Sequence, residues 1–157
     1  MTGRLLRIGF IIFLASCGFR AVAHEIRPAI ASMTFSPDGR FEIAISANLE
    51  ALIAGIGPQH GNTDDAPNAV DYNKMRAMPP ADLMPRVEAF APRWLDGIAI
   101  EFDGKRVRPA LGDIHIPAVG DIALARLSTV RLSGAVPAGA TSFRWQYSAE
   151  FGSSVIR

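Results

Sequence analysis

One cysteine, two tryptophans and two tyrosines are all that this chain of 157 residues contains of those types. A lone Cys17 excludes an internal disulfide framework. It also lies ahead of the first strand-like segment, so it offers that part of the chain no thiol nucleophile. Neither sign of charge dominates. The formal net charge of +1 comes from the N-terminus, because residues 1–23 hold Arg4, Arg7 and Arg20 and no acid. The rest carries 13 Lys and Arg against 15 Asp and Glu, a formal charge of −2. No basic stripe is left to follow a phosphate backbone, which argues against nucleic acid as a partner. Enzyme signatures are absent too: no Gly-x-Ser-x-Gly elbow, no His-Glu-x-x-His pair and no phosphate loop. Gly55-Ile-Gly57 follows a helical pattern instead of a strand, so it fails as a dinucleotide turn. The expectation is a protein that is not an enzyme.

What is present begins with a three-part export signal over residues 1–23. Arg4 and Arg7 give the positive leader, and Ile8-Gly-Phe-Ile-Ile-Phe-Leu14 gives an apolar run. That run is far shorter than the roughly 20 apolar residues a membrane-spanning helix needs. Ala21-Val22-Ala23 supplies small residues at the two positions a signal peptidase groove admits, making His24 the first mature residue. Leu14-Ala15-Ser16-Cys17 also fits a lipobox, in which Cys17 would be acylated and the product anchored to lipid. Both readings place residues 24–157 outside the cytoplasm, periplasmic or facing the periplasm; cleavage after Ala23 is the preferred one. That remainder is long enough to bury a core without a disulfide or a structural metal.

The patterning of residues 24–157 is mostly that of strands. Residues 26–35 alternate, Ser36-Pro-Asp-Gly39 is a turn signal, and Phe41, Ile43 and Ile45 line one face of the next run. These make a hairpin. Asn48 caps a helix expected over residues 49–56, closed by Gly57-Pro58. A second helix is expected around residues 67–78, with Asp65 as cap and Pro67 in its first turn. Residues 81–95 place Leu83, Val87, Phe90 and Trp94 at helical spacing, with Pro85 and Pro92 predicting a broken or kinked helix. Strands return at 98–102 and 105–108 around the Asp103-Gly104 turn, then at 111–116, 124–132 and 142–150. Residues 153–157 read as the start of one more strand, as in a product that continues or a gene that is truncated. Five to seven short antiparallel strands around a helical insertion at about residues 48–96 predict a mainly β fold, an antiparallel, immunoglobulin-like β-sandwich. Trp94 and Trp145 read as core aromatics.

Three histidines are the candidate metal ligands. A free amine and imidazole at His24 can chelate one copper ion, and His60 and His115 are the available partners for a second imidazole. His60 stands in the polar cluster Gln59-His-Gly-Asn-Thr-Asp-Asp65, where Asp64 and Asp65 can add oxygen ligands. Helix capping and loop solvation account for the same residues without a metal. His115 shares a strand face with Asp113, either a ligand with its orienting carboxylate or a solvated outer face.

Ala23-His-Glu-Ile-Arg-Pro28 resembles the start of the extracytoplasmic domain in long members of the HupE/UreJ-like membrane protein family. Ser46-Ala-Asn-Leu-Glu-Ala-Leu-Ile-Ala-Gly-Ile56, then Asp64-Asp65, Pro67-Asn68 and Ile116-Pro-Ala-Val-Gly-Asp121, are similar to it too, so the resemblance covers most of residues 23–157. In that family the exported domain precedes a bundle of membrane helices, and short relatives are linked to nickel supply for hydrogenase and urease. The resemblance implies a membrane-associated domain that docks a partner, or the membrane half of the same protein, or handles a metal such as nickel. This chain departs from the full pattern, since no apolar stretch of membrane length follows residue 23; transport is therefore not carried over. Two other readings stand beside it. One is an autonomous periplasmic copper- or nickel-binding protein built on His24 with His60 or His115. The other is a lipid-anchored structural protein held through Cys17.

Overall fold

A computed structural model describes residues 27–57, 59–60 and 63–157. The signal at 1–23, Cys17 and His24 lie outside the described residues. Among the described residues the fold is mainly β, with two sheets rich in antiparallel pairs and three α-helices of differing length. The first hairpin joins β1 (Ala29–Ser36) to β2 (Arg40–Ala47), with Phe35 opposite Phe41 and Ser36 opposite Arg40. Its three-residue loop ends on Gly39 at φ 77°, and the Gly39 N–H donates to Ser36 O at 3.0 Å. Such a loop needs a residue in the left-handed region, where glycine alone carries no Cβ penalty.

Three helices follow. The first, α1 (Leu49–Ile53), is capped by Asn48, whose side chain accepts the Ala51 N–H at 3.1 Å. It stops three residues short of the expected Ile56. Gly55 at φ 69° sends its N–H to Leu52 O, and Ile56 sends its own to Ala51 O. This pair of bonds is a Schellman termination, which closes the helix one turn before Gly57. The second helix, α2 (Ala69–Arg76), starts later than expected, with Asn68 and not Asp65 at its cap position. The Asn68 side chain reaches across to Ala54 O at 2.8 Å, closing an orphaned carbonyl of α1. Asp65 instead belongs to a single 3-10 turn, Thr63–Asp65. The third, α3 (Pro80–Asp96), runs unbroken through Pro85 and Pro92, where a broken or kinked helix was expected. Both prolines lie on its solvent face, and so do Ala81 and Glu88, whose carbonyls lose a helical partner. Water can satisfy those carbonyls, so the helix continues. Its other face buries Leu83, Val87, Ala91 and Trp94.

β3 (Ile98–Phe102) and β4 (Lys105–Val107) close on Asp103 at φ 48° and Gly104 at φ 74°, the two positive values a two-residue hairpin requires. Next come β5 (Ala110–His115), β6 (Ser128–Ala135), β7 (Phe143–Tyr147), a 3-10 turn at Ala149–Phe151, and β8 (Ser154–Ile156). β6 begins four residues after the expected 124, because residues 124–127 belong to a loop whose last part turns inward, as described below. One sheet runs β5-β6-β2-β1-β8 and the other β4-β3-β7. The described residues thus hold eight strands in place of five to seven. One pair, β1 with β8, is parallel where antiparallel pairing was expected.

Both sheets and the helices feed one core. Phe41, Ile43, Ile45, Val130 and Leu132 come from the larger sheet, Ile98, Ile100 and Phe102 from the smaller, and Trp94 from α3. Each such side chain contributes about 1.5–3 kcal/mol on burial. The Phe41 and Phe102 rings meet at 5.7 Å, Phe35 and Phe143 at 5.2 Å, and Trp145 Nε1–H donates to Ser154 Oγ at 3.0 Å. The molecule is consequently two-ended. The Phe cluster and the turn at 36–39 form one end. The helices, the start of β1 and the loop between β5 and β6 form the other.

Candidate functional site

At the helical end a polar centre is buried among apolar residues. α1 presents Leu49, Glu50 and Ala51 all inward, since so short a helix has neighbours on most sides; Glu50 is completely buried. Its carboxylate meets Arg126, which stands two residues ahead of β6 and has a side chain only 8 % exposed. Arg126 Nε–H donates to Glu50 Oε1 at 2.6 Å. Nη1 donates to Met78 O at 3.0 Å and Pro117 O at 3.3 Å, and Nη2 to Met75 O at 3.2 Å. The Met75 and Met78 carbonyls lie at the C-terminal end of α2, where the helix dipole is negative, so a guanidinium there is favoured beyond the hydrogen bonds alone. One side chain therefore ties together α1, the junction of α2 and α3, and both ends of the loop 116–127.

Around this clamp the polar groups continue. Asn48 Nδ2 donates to the Tyr72 hydroxyl at 2.8 Å. The Arg76 guanidinium sits 5.0 Å from the Tyr72 ring centroid, a cation–π contact, and donates to Asn73 Oδ1. Burial raises the Tyr72 pKa above 10.0; the Asn48 hydrogen bond and the Arg76 charge oppose this, while the charges of Glu50 and Asp64 add to it. Glu50 Oε2, Thr63 Oγ1, Arg76 Nε and Ser128 Oγ are buried without a hydrogen-bond partner in the protein, places suited to ordered water. Chemically the arrangement is a clamp. The ion pair is sealed from solvent, and backbone carbonyls take up three of the four remaining Arg126 N–H groups.

The clamp holds up a loop of unusual character. Between Ile116 and Arg126 the only charged residue is Asp121. Its carboxylate accepts the Ala123 N–H at 2.8 Å, and its carbonyl accepts the Leu124 N–H at 3.0 Å. That tight turn displays Val119, Ile122 and Leu124, which are 40 %, 57 % and 63 % exposed.

The histidines fall elsewhere. His60 is half-buried in the loop after α1, and its Nδ1 accepts the Gly57 N–H at 3.4 Å, which engages one of its two ligand atoms. Asp64 and Asp65 are exposed on the 3-10 turn. His115 is the last residue of β5, exposed and opposite Thr129; Asp113 is exposed at the bulge in the same strand. Among the described residues no three of His, Cys, Asp and Glu gather as a metal group. A cleft of about 660 Å3 beside the C-terminal end of α3 is lined by Pro92, Leu95, Arg106 and Arg108. Its cations are already engaged, Arg106 by the Asp96 and Ile98 carbonyls and Arg108 by the Asp96 carboxylate.

No family model, curated protein or solved structure matches the chain. The centre itself was missed by the sequence analysis. Its signals are two charges in apolar surroundings: Glu50 in Leu49-Glu-Ala-Leu-Ile53, and Arg126 in Leu124-Ala-Arg-Leu127. A charge within a buried apolar run calls for an opposite partner elsewhere in the chain.

Proposed function

We propose that this chain is the extracytoplasmic domain of a HupE/UreJ-like membrane protein, and that its role is docking and not catalysis. One observation carries the reading. Among the described residues, the segments 46–56, 64–68 and 116–121 that bear the resemblance converge at one end of the molecule. Asn48 and Glu50 come from the segment 46–56, Asn68 bonds to Ala54 within it, Asp64 lies within electrostatic reach of Tyr72, and Pro117 of the segment 116–121 is bonded to Arg126. A shared motif set is expected to cluster in this way when it maintains one surface. The most buried charges hold backbone carbonyls and one another, which suits a domain that presents a surface more than one that transfers protons. The finer architecture of the same proposal is an immunoglobulin-like sandwich. Support for it comes from the ring contacts between the two sheets and the Trp145–Ser154 hydrogen bond that joins them.

The test is to tag the gene at its own locus, within the exported domain. The product is expected to resist carbonate extraction from membranes and to be degraded by protease added to spheroplasts. A soluble species of the domain's own size, released by osmotic shock, overturns the proposal. Calorimetric titration of the processed chain with copper and nickel, beside His24→Ala, separates docking from metal capture. Docking expects no tight binding; binding that His24→Ala abolishes assigns the protein to metal capture.

A further inference from the structure

We infer that the cleft between the C-terminal end of α3 and β4 is a binding site for a small monocarboxylate with an apolar body. The cleft exists because the second hairpin cannot close over it. β4 pairs with β3 only as far as Val107, which lies opposite Ile100. Two more steps in that register would set Pro109 opposite Ile98. Proline has no N–H to give the ladder, so pairing ends and the start of β3 loses its neighbour on that side. On the other side the Ser148 N–H donates to Gly97 O at 2.8 Å. Arg106 fills the gap, its Nη2 donating to Ile98 O at 3.0 Å and to Asp96 O at 3.1 Å.

Those two bonds orient the guanidinium but use only one of its nitrogens. Nε–H and Nη1 make no hydrogen bond among the described residues, which leaves free donors on a fixed fork in the wall of the cleft. Arg108 is held by the Asp96 carboxylate alone, at 2.8 Å, in a pair whose side chains are 87 % and 68 % exposed. Solvent screens so exposed a pair, and Arg108 can turn to a ligand at little cost.

The lining selects the ligand. Pro92, Leu95, Ile98, Val107 and Pro109 give apolar walls. Two arginines against the single Asp96 carboxylate leave one positive charge in excess, which suits a monoanion. A guanidinium already held in place meets a carboxylate through charge-assisted hydrogen bonds. At about 660 Å3 the cleft falls within the range of small-molecule sites, roughly 300–1,000 Å3, where apolar walls and a few placed polar groups share recognition. The chain end of a peptide carries the same carboxylate, but its amides would need acceptors. The Asp96 and Ile98 carbonyls that could serve are taken by Arg106, so the ligand is one whose body has no amides. This site is independent of the proposed docking role and of any membrane.

The exported, processed chain is isotope-labelled, and its amide resonances are followed on titration with octanoate. Octanoate is expected to shift the amides of residues 95–98 and 106–108 saturably, with a Kd on the order of 1 mM. Acetate, the head without the body, and octanamide, the body without the charge, should each bind at least about tenfold more weakly. Arg106→Met should weaken octanoate by about tenfold or more. Because that change also frees two carbonyls, Asp96→Asn is the second variant. It keeps the backbone bonds, removes the opposing charge, and should tighten octanoate about threefold. Shifts confined to other residues, acetate or octanamide binding as tightly as octanoate, unaltered binding in Arg106→Met, or weaker binding in Asp96→Asn overturns the inference. So does a response to acetyl-alanyl-leucine without one to octanoate, which would make the cleft a reader of peptide ends.

Discussion

Glu50 and Arg126 illustrate how much can depend on two side chains that solvent barely reaches. Removing either leaves the other a buried charge, a loss of about 3–5 kcal/mol. Arg126→Met should cost more than Glu50→Gln, because it also strands the Met75, Met78 and Pro117 carbonyls. Urea titrations should show both midpoints falling, and Glu50→Gln combined with Arg126→Met should cost less than the two single changes summed. Equal, additive losses would mean that the two groups do not act as a pair. Asp103 offers a pH test at the opposite end of the molecule. Its carboxylate accepts the Ser142 hydroxyl and amide, both at 2.9 Å, and the Thr141 amide. These bonds, the Ser142 hydroxyl foremost, hold its pKa below the ordinary 3.8. The unfolded chain then takes up the proton first as acid is added, so the stabilisation is complete above the ordinary pKa and is lost as pH falls through the native one. Asp103→Asn should flatten the acid limb of a plot of melting temperature against pH between about pH 5 and pH 2. An unchanged slope would show that the carboxylate charge contributes nothing.

At the scale of elements, the strands were legible wherever one face is buried and the other wet. Phe41, Ile43 and Ile45 gave β2 its place and its inward face, and Asp103-Gly104 gave the second hairpin its turn. Helix ends were less legible because tertiary bonds set them. Asn68 serves α1 and not α2, and Gly55, not Gly57, ends α1. The prolines of α3 left a break open in the sequence for a related reason: sequence gives the missing N–H but not whether the stranded carbonyl faces water. Proline inside a helix still costs up to about 3 kcal/mol against alanine. Pro85→Ala is therefore expected to stabilise the protein by about 1–3 kcal/mol, since the restored N–H can reach the Ala81 carbonyl. Thermal melting of the variant checks this; a fall in melting temperature would mean that the helix needs its proline geometry. β8 was read correctly as a strand, but its parallel partner was not, because nothing in residues 153–157 says which edge it joins.

Across the whole molecule, the centre at the helical end was hidden because its parts are distant in sequence; Glu50 and Arg126 are 76 residues apart. Leu124 was expected as the first residue of a strand over 124–132, but the strand begins only at Ser128 and Leu124 lies in the exposed loop. The two tyrosines sample both the polar centre and the α3 packing, and burial raises both pKa values above 10.0. For Tyr147 the Trp94 N–H bond works against that shift. A raised native pKa means that the unfolded chain loses its phenolic protons first. The stabilisation is whole below 10.0 and disappears as pH rises through the native values. Phenolate absorbance of the native protein should lag behind that of the urea-unfolded chain, then rise steeply with alkaline unfolding. Coincident curves would place at least one ring in water.

The parallel pairing of β8 with β1 has a mechanical consequence. The first strand enters from the helical end, and the last runs alongside it in the same direction, joined through Ala29 to Ser153, Arg157 to Ala31 and Met33 to Arg157. Tension applied to the two ends of this body pulls these strands past each other lengthwise. These bonds and the ladder bonds between Ala29–Ala31 and Ser154–Ile156 then bear load together and fail together, instead of opening one at a time as an antiparallel terminal pair would. A domain strung between two anchors would meet force with its stiffest geometry, and a pulling experiment should register a single rupture there before anything deeper gives way.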